Sequence, residues 1–116
     1  MKTKLRKDSA LKDYLTLVAK LPRVGAEGRA ALAARLEAGE GDAAVALIES
    51  WLPLVVAEAA LHRGLGLPFE ALIAAGNRAV AASLRREATG DEAALRASVR
   101  EGLREALARR AAKRVD

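Results

Sequence analysis

Apolar residues recur every three to four positions along most of this chain, with polar residues between them. This spacing places the apolar side chains on one face of an α-helix, and no alternating apolar and polar run indicates a strand. Alanine, leucine, arginine and glutamate, which are good helix formers, supply most of the sequence. The pattern predicts an all-α fold, a compact helical bundle in a single domain.

Capping residues and helix breakers divide the first part of the chain into two predicted helices. The first begins near Asp8 or Ser9, both competent N-caps, and ends at Pro22. The second covers about residues 26–38 and ends at Gly39, where a left-handed C-cap is expected. The residues predicted to face the core in these helices are Leu11, Leu15, Val18, Leu21, Leu32 and Leu36.

Four further helices are predicted in the rest of the chain. Asp42 is expected to cap the third, and Pro53 opens the fourth because proline lacks the N–H that a helix interior needs. A break at residues 64–68 ends in the proline that opens the fifth, and Asp91 caps a last helix reaching about Lys113. The predicted inward residues are Val45, Ile48, Leu52, Phe69, Ile73, Gly76 and Val80.

Length and charge set the broad class of protein. The chain has 116 residues, no cysteine, one histidine and a net charge of +5, so we expect no disulfide, metal site or cofactor. We divide it into a basic N-terminal arm, residues 1–7, and a helical domain, residues 8–116. The best candidate for a membrane span, residues 51–61, carries Pro53 and Glu58, so we expect a cytoplasmic protein without a membrane contact.

Enzyme chemistry finds little support in the sequence. His62 is the sole histidine and stands before a glycine-containing break, where a helix-end role is expected for it. The serines at positions 50 and 83 have no base nearby in the sequence, and no phosphate-binding glycine motif is present. We therefore predict a non-catalytic protein.

A row of arginines follows the apolar row of the last predicted helix. Arg96, Arg100 and Arg104 are spaced four residues apart, beside the core-facing Leu95, and basic residues continue beyond them. Guanidinium groups on one helix face suit phosphate oxygens, but basic residues near a helix C-terminus also offset its dipole. Both interpretations stay open. The candidate nucleic-acid-binding residues are Arg96, Arg100, Arg104, Arg110 and Arg114.

Three segments stand in an order that resembles primary-type bacterial sigma factors. Residues 32–40 read LAARLEAGE, residues 47–56 read LIESWLPLVV and residues 63–77 read RGLGLPFEALIAAGN. They are similar to the family patterns R-[IL]-E-x-G-[DE], L-I-E-x-N-L-R-L-V-V and G-x-G-L-x-x-x-D-L-I-Q-E-G-N, and the match runs without a gap from Tyr14 to about Ala111. The resemblance implies the helical fold of the segment that binds core RNA polymerase and melts promoters (sigma region 2 with the preceding helices).

The resemblance also implies a protein-binding face on the helix at residues 68–87. In the family this helix docks on the coiled coil of the polymerase clamp through an Asp, a Gln, a Glu and an Asn. Three of these positions are alanine in this chain, and one remains asparagine. The candidate protein-binding residues, including two flanking charges, are Glu70, Ala71, Ala74, Ala75, Asn77 and Arg78.

The family's promoter-melting aromatics are missing from the last predicted helix. Their positions fall on residues 98–102, which read SVREG and offer no ring on which a base can stack. A glutamine that contacts duplex DNA in the family corresponds to Glu105, which repels phosphate. The resemblance thus implies a relative of sigma factors that has lost promoter melting.

The predicted function is that of a non-catalytic, sigma-like, transcription-associated protein. It would bind RNA polymerase, a sigma antagonist or, weakly and without sequence preference, DNA, through the helices at residues 68–87 and 91–113. The alternative is an interaction module without a transcriptional role, in which the alanine-rich face of the fifth helix contacts a second copy. We expect Trp51 to lie in the core of the protein.

Overall fold

Six helices form the regular structure of residues 2–87 and 91–115, the part of the chain that this computed structural model describes. Their bounds are α1 Lys2–Ala19, α2 Ala26–Glu37, α3 Asp42–Glu49, α4 Leu52–Leu61, α5 Phe69–Arg86 and α6 Glu92–Val115. Within those residues helices are the sole regular elements, and they pack into one body. The predicted all-α, single-domain fold is confirmed.

Glycine, proline and aspartate end or begin the helices where the sequence predicts. Gly39 has a φ of +92° beyond the end of α2, and its N–H and that of Glu40 bond back to the last turn. Pro53 lies in the first turn of α4, where its missing N–H costs nothing. Asp91 caps α6 by accepting a hydrogen bond of 2.7 Å from the N–H of Ala94.

Two predicted helix starts are wrong. Helix α1 begins at Lys2 and not near Asp8 or Ser9, so the boundary expected after residue 7 falls inside a helix. Asp42 does not cap α3, because it is the first residue of that helix and makes no side-chain cap bond. Its carboxylate instead accepts a hydrogen bond of 3.2 Å from Arg35 on α2. At the other end of the chain, α6 continues to Val115.

The core lies between α4, α5 and α6, with α1 packed along one side. Trp51, between α3 and α4, is 1% exposed, which confirms its predicted place in the core. The inward faces of α5 and α6 also match the prediction. The buried hydrophobic residues of this cluster are Trp51, Leu54, Val55, Ala59, Leu72, Ile73, Ala75, Val80, Leu95, Val99 and Leu103.

Helix α3 turns a different face inward from the one expected. Val45 is 60% exposed and Ile48 is 37% exposed, so their predicted inward positions are wrong. The buried positions are Ala43, Leu47 and Ser50, one turn apart on the helix. Helix α3 packs on α2, where Ala33 is buried and the two predicted leucines are half-buried. Small residues let the two short helices approach, and this approach decides which face of α3 is covered.

Two glycines allow close approach of helices in the core. A Cβ atom on Gly76 of α5 would lie 2.7 Å from a methyl carbon of Val55 on α4. A Cβ atom on Gly102 of α6 would lie 2.9 Å from the Cβ of Ala79 on α5. Both distances are shorter than carbon atoms tolerate, so these positions have no room for a side chain.

The segment Asp42–Leu61 is long and apolar enough to cross a membrane by length and composition, with a mean hydropathy of 1.7. The apolar segment is thus longer than the candidate of residues 51–61 that the sequence analysis considered. In the fold the segment bends between α3 and α4, and 39% of the window is buried inside the protein. Core helices of soluble proteins meet the same criterion, so this is weak evidence for a membrane protein.

Candidate protein- and nucleic-acid-binding surfaces

A buried carboxylate joins α4 to α6 in a group of charges that the sequence-based prediction missed. Glu58 on α4 is 0% exposed and accepts hydrogen bonds from two arginines of α6. Arg96 donates to Oε1, and Arg100 donates from Nε to Oε2 at 2.8 Å and from Nη2 to Oε1 at 3.2 Å. A buried charge requires such partners, because its desolvation is otherwise very costly.

The protonation of this group follows from its contacts. The hydrogen bonds from Arg100 lower the pKa of Glu58 below its ordinary value of 4.5, burial opposes this, and Arg96 lowers it further. The carboxylate in turn raises the pKa of Arg100. Glu92 lies 3.7 Å from Arg96, one turn earlier on α6. Glu58 and Arg100 therefore both stay ionised at neutral pH.

This pairing divides the predicted arginine row into two parts. Arg96 and Arg100 keep partly exposed side chains, but their guanidinium groups are bonded to Glu58. Arg104, Arg110 and Arg114 are exposed, and no salt bridge to another described residue engages them. The basic surface open to a phosphate is thus centred on the C-terminal half of α6.

The positions that correspond to the melting aromatics are part of the packing of α6. Val99 is fully buried, Ser98 is half-buried and Arg100 is bonded to Glu58. Gly102 faces Ala79 at the close contact with α5, where a ring would force the two helices apart. Arg100 and Glu101 are the exposed residues of this group, and Arg100 is held by Glu58. This face of α6 has no space for an aromatic cluster without repacking.

The predicted protein-binding residues of α5 are spread over two grooves. Glu70, Ala74 and Asn77 line a groove between α1 and α5, together with Leu11 and Tyr14 of α1. The other part of the set, Ala75 and Arg78, lines a second groove between α5 and α6, and Ala71 is half-buried.

One residue of this set offers little surface to a partner. Ala75 is 5% exposed, because α6 covers it near Gly102. Any polar side chain placed there would be buried. The remaining α5 residues do not form one continuous exposed row.

Asn77 shows how closely α1 lies on the first groove. Its Nδ2 atom donates a hydrogen bond of 3.4 Å to the hydroxyl of Tyr14, and the residue is half-buried. Its Oδ1 atom is buried and has no hydrogen-bond partner among the described residues. The groove around it is mainly apolar, with Ile73 at its base.

A stacked arginine holds α2 against the junction of α3 and α4. The guanidinium of Arg29 lies 3.5 Å from the centre of the Trp51 ring. It also donates to the Ser50 hydroxyl at 3.2 Å and to the Ser50 carbonyl at 2.9 Å. Burial lowers the pKa of Arg29, while the charge of Glu92 acts in the opposite direction. These contacts explain why a tryptophan and a serine occupy this junction.

His62 has the helix-end position that the sequence indicates. It follows the last residue of α4, and its Nδ1 atom is 2.8 Å from the carbonyl oxygen of Glu58. Among residues 9–87 and 91–114, whose side chains the structure describes, no group of His, Asp and Glu is suited to a metal ion.

Comparisons with known proteins add no relative to this description. A scan against protein-family models found no match, and no curated protein or solved structure matches the chain.

Proposed function

We propose that this protein is a non-catalytic, sigma-like, transcription-associated domain that binds DNA phosphates and does not melt promoters. The observation that carries the proposal is the basic C-terminal half of α6. Residues 104–114 contain five basic residues and one acidic residue, and all five basic side chains are exposed. Such a surface attracts a polyanion through the release of counterions.

The link to transcription rests on the ordered resemblance of residues 14–111 to sigma factors. Two breaks between helices fall at the glycine and proline positions of those motifs. One follows α2 and includes Gly39, and the other includes residues 64–68, before α5. The absence of stacking rings, together with the close packing at Gly102, supports a role without base flipping. DNA would be held by its backbone, so affinity would not depend on sequence.

DNA binding is tested by a salt titration with the C-terminal arginines removed. We expect the wild-type protein to bind promoter-like and unrelated duplexes equally, with affinity falling steeply between roughly 50 and 200 mM salt. Changing Arg104, Arg110 and Arg114 together to alanine should weaken binding and lower the salt slope by about one per lost phosphate contact. Fluorescence anisotropy of labelled duplexes measures both quantities.

A matched control variant removes three positive charges outside the C-terminal half of α6. Lys20, Arg23 and Arg85 are exposed and lie outside the C-terminal half of α6, so their joint change to alanine should affect affinity much less. Equal losses of DNA affinity in the two triple variants would show that the net charge of the protein, and not the position of the arginines on α6, determines binding. Selective binding of one promoter, or a rise in fluorescence of a base analogue showing duplex opening, would contradict the proposal.

A protein partner from the transcription machinery is a second candidate, because three of the predicted α5 contact residues line a mainly apolar groove between α1 and α5. RNA polymerase or a sigma antagonist would contact Glu70, Ala74 and Asn77 there. Three alanines replace the family's polar groups on this helix, so we expect weak retention of polymerase on the immobilised protein. The change Asn77→Ala should weaken it further, whereas tight retention that is unaffected by this change would contradict a contact in this groove.

A further inference from the structure

A groove between α5 and α6 has a floor of small residues. Its base is formed by four alanines and a glycine, and the close approach of Gly102 to Ala79 keeps it shallow. The floor residues are Ala75, Ala79, Ala82, Ala97 and Gly102. No side chain of the floor is long enough to prevent another helix from lying along it.

The two walls of this groove carry opposite charges. Arg78 and Arg86 stand on the α5 side, and Glu101 and Glu105 stand on the α6 side. All four side chains are exposed, and no salt bridge within 4.0 Å joins them to any described residue. Arg109 lines the groove at its end on α6. The walls thus present charges that no salt bridge among the described residues pairs.

We propose that a second copy of this chain docks in this groove as a two-fold symmetric dimer. A rotation of 180° about an axis that runs above the groove and parallel to the two helices exchanges their sides, so α5 of one copy lies on α6 of the other. Rotation about that axis keeps every residue at its own level along the groove. Gly102 is level with Ala75 and Ala79, so Arg78 of each copy faces the level of Glu101 and Glu105 of the other.

The charge pattern selects this occupant over others. A nucleic acid would be attracted by the arginine wall but repelled by the glutamate wall. A second copy brings an arginine wall to each glutamate wall, and the alanine floors allow the four helices to pack at the usual distance of about 8–10 Å. Opposite charges at such an interface also set its register.

The dimer goes beyond the proposed function but has a consequence for it. The axis along the groove keeps both copies of α6 pointing in the same direction, so the two basic C-terminal halves lie at one end of the assembly. The two sets of exposed arginines would then act on the same polyanion. Self-association itself needs no DNA.

Sedimentation velocity with charge-reversed variants tests the dimer. One variant carries Arg78→Glu and Arg86→Glu, which makes both walls acidic, and the other carries Glu101→Arg and Glu105→Arg, which makes both walls basic. We expect the wild-type protein to dimerise, more weakly at high salt, and each variant alone to dimerise at least about tenfold more weakly. An equimolar mixture should form a heterodimer, because every acidic wall then meets a basic one.

The outcomes separate the dimer from the other properties of the protein. A wild-type chain that is monomeric up to roughly 1 mM, variants that dimerise like the wild type, or a mixture that stays monomeric would each overturn the proposal. Circular dichroism checks that the variants are folded, and the single changes Arg78→Glu and Glu101→Arg provide the same mixing test if a double variant is not. The DNA-binding triple variant at positions 104, 110 and 114 should still dimerise, so failure of one proposal leaves the other testable.

Discussion

At the scale of single residues, Glu58 has the most demanding environment in the described part of the chain. It stands in the apolar α4, where nothing nearby in sequence neutralises it, and its partners are 38 and 42 residues further on. The sequence shows an acidic residue in an apolar helix and a row of arginines beside a core stripe. Neither signal indicates that the two belong together, because that depends on the packing of α4 against α6.

Replacing the Glu58 carboxylate by an amide should destabilise the protein. The change Glu58→Gln keeps the size of the side chain but removes the charge from the hydrogen bonds to Arg96 and Arg100. We expect a loss of about 1.5–3 kcal/mol in the free energy of unfolding at pH 7. Urea denaturation measures it, and an unchanged midpoint would show that solvent replaces these bonds at no cost.

The free energies of unfolding of the wild type and of Glu58→Gln should respond differently to acid. The pKa of Glu58 is lower in the folded protein than its ordinary value of 4.5, so the folded state favours the ionised form. Its contribution is therefore fully present above about pH 4.5 and is lost as the pH falls through the folded pKa. The stability difference between wild type and Glu58→Gln should shrink below pH 4.5. A difference that grows towards acid would contradict this assignment.

Gly76 illustrates a residue whose absence of a side chain is a packing requirement. The change Gly76→Ala gains up to about 1 kcal/mol in helix propensity but forces a methyl group against Val55, which typically costs about 1–3 kcal/mol. We expect a net loss of up to about 2 kcal/mol in the free energy of unfolding. Gly41→Ala is the control, because Gly41 has a φ of −61° and open space around its Cβ position. It should stay within about 0.5 kcal/mol of the wild type.

At the scale of helices, most ends were predictable, apart from the starts of α1 and α3, and the covered face of α3 was not. Proline, glycine and the Asp91 cap act on the backbone beside them, so Gly39, Pro53 and the break before α5 could be located from sequence alone. The face of α3 that becomes buried depends instead on how α2 lies against it. Val45 and Ile48 fit an apolar stripe, but Ala43 and Leu47 are the residues that α2 and the core cover.

Helix α3 should therefore tolerate a charge on the face first expected to be buried. The change Val45→Glu should alter the free energy of unfolding by no more than about 0.5 kcal/mol, because that side chain is already in water. Leu47 lies on the buried face of α3, so Leu47→Ala should lower the free energy of unfolding by about 2–5 kcal/mol because of the cavity it leaves. Thermal denaturation of both variants ranks them, and the reverse order would mean that α3 is rotated from the orientation described.

The attachment of α2 depends on the fork-shaped guanidinium of Arg29. Removing it in Arg29→Ala eliminates two hydrogen bonds to Ser50 and the stacking on Trp51, which we expect to cost about 1–3 kcal/mol. Arg29→Lys keeps the charge but not the planar fork, so it should recover only part of the loss. Chemical denaturation followed by circular dichroism compares the three proteins. Full recovery by lysine would show that charge alone matters.

At the scale of the whole molecule, the described fold measures 46 × 31 × 22 Å. Helix α6, with 24 residues, is about 36 Å long and carries basic residues past the end of the core stripe at Leu103. The sequence predicted the basic character of this helix. It could not divide the row into arginines bonded to Glu58 and arginines open to a ligand, because that division requires the position of α4.

The junction of α3 and α4 gives the protein an intrinsic spectroscopic reporter. Its single tryptophan is buried there beneath Arg29, so indole emission originates from one place in the molecule. The α2–α3 pair meets the rest of the fold at this point, and such pairs often open as separate units. Emission that shifts to longer wavelength before the helical signal is lost would reveal an intermediate in which α2 has detached while α4, α5 and α6 remain packed. Coincident transitions would show that the six helices unfold together.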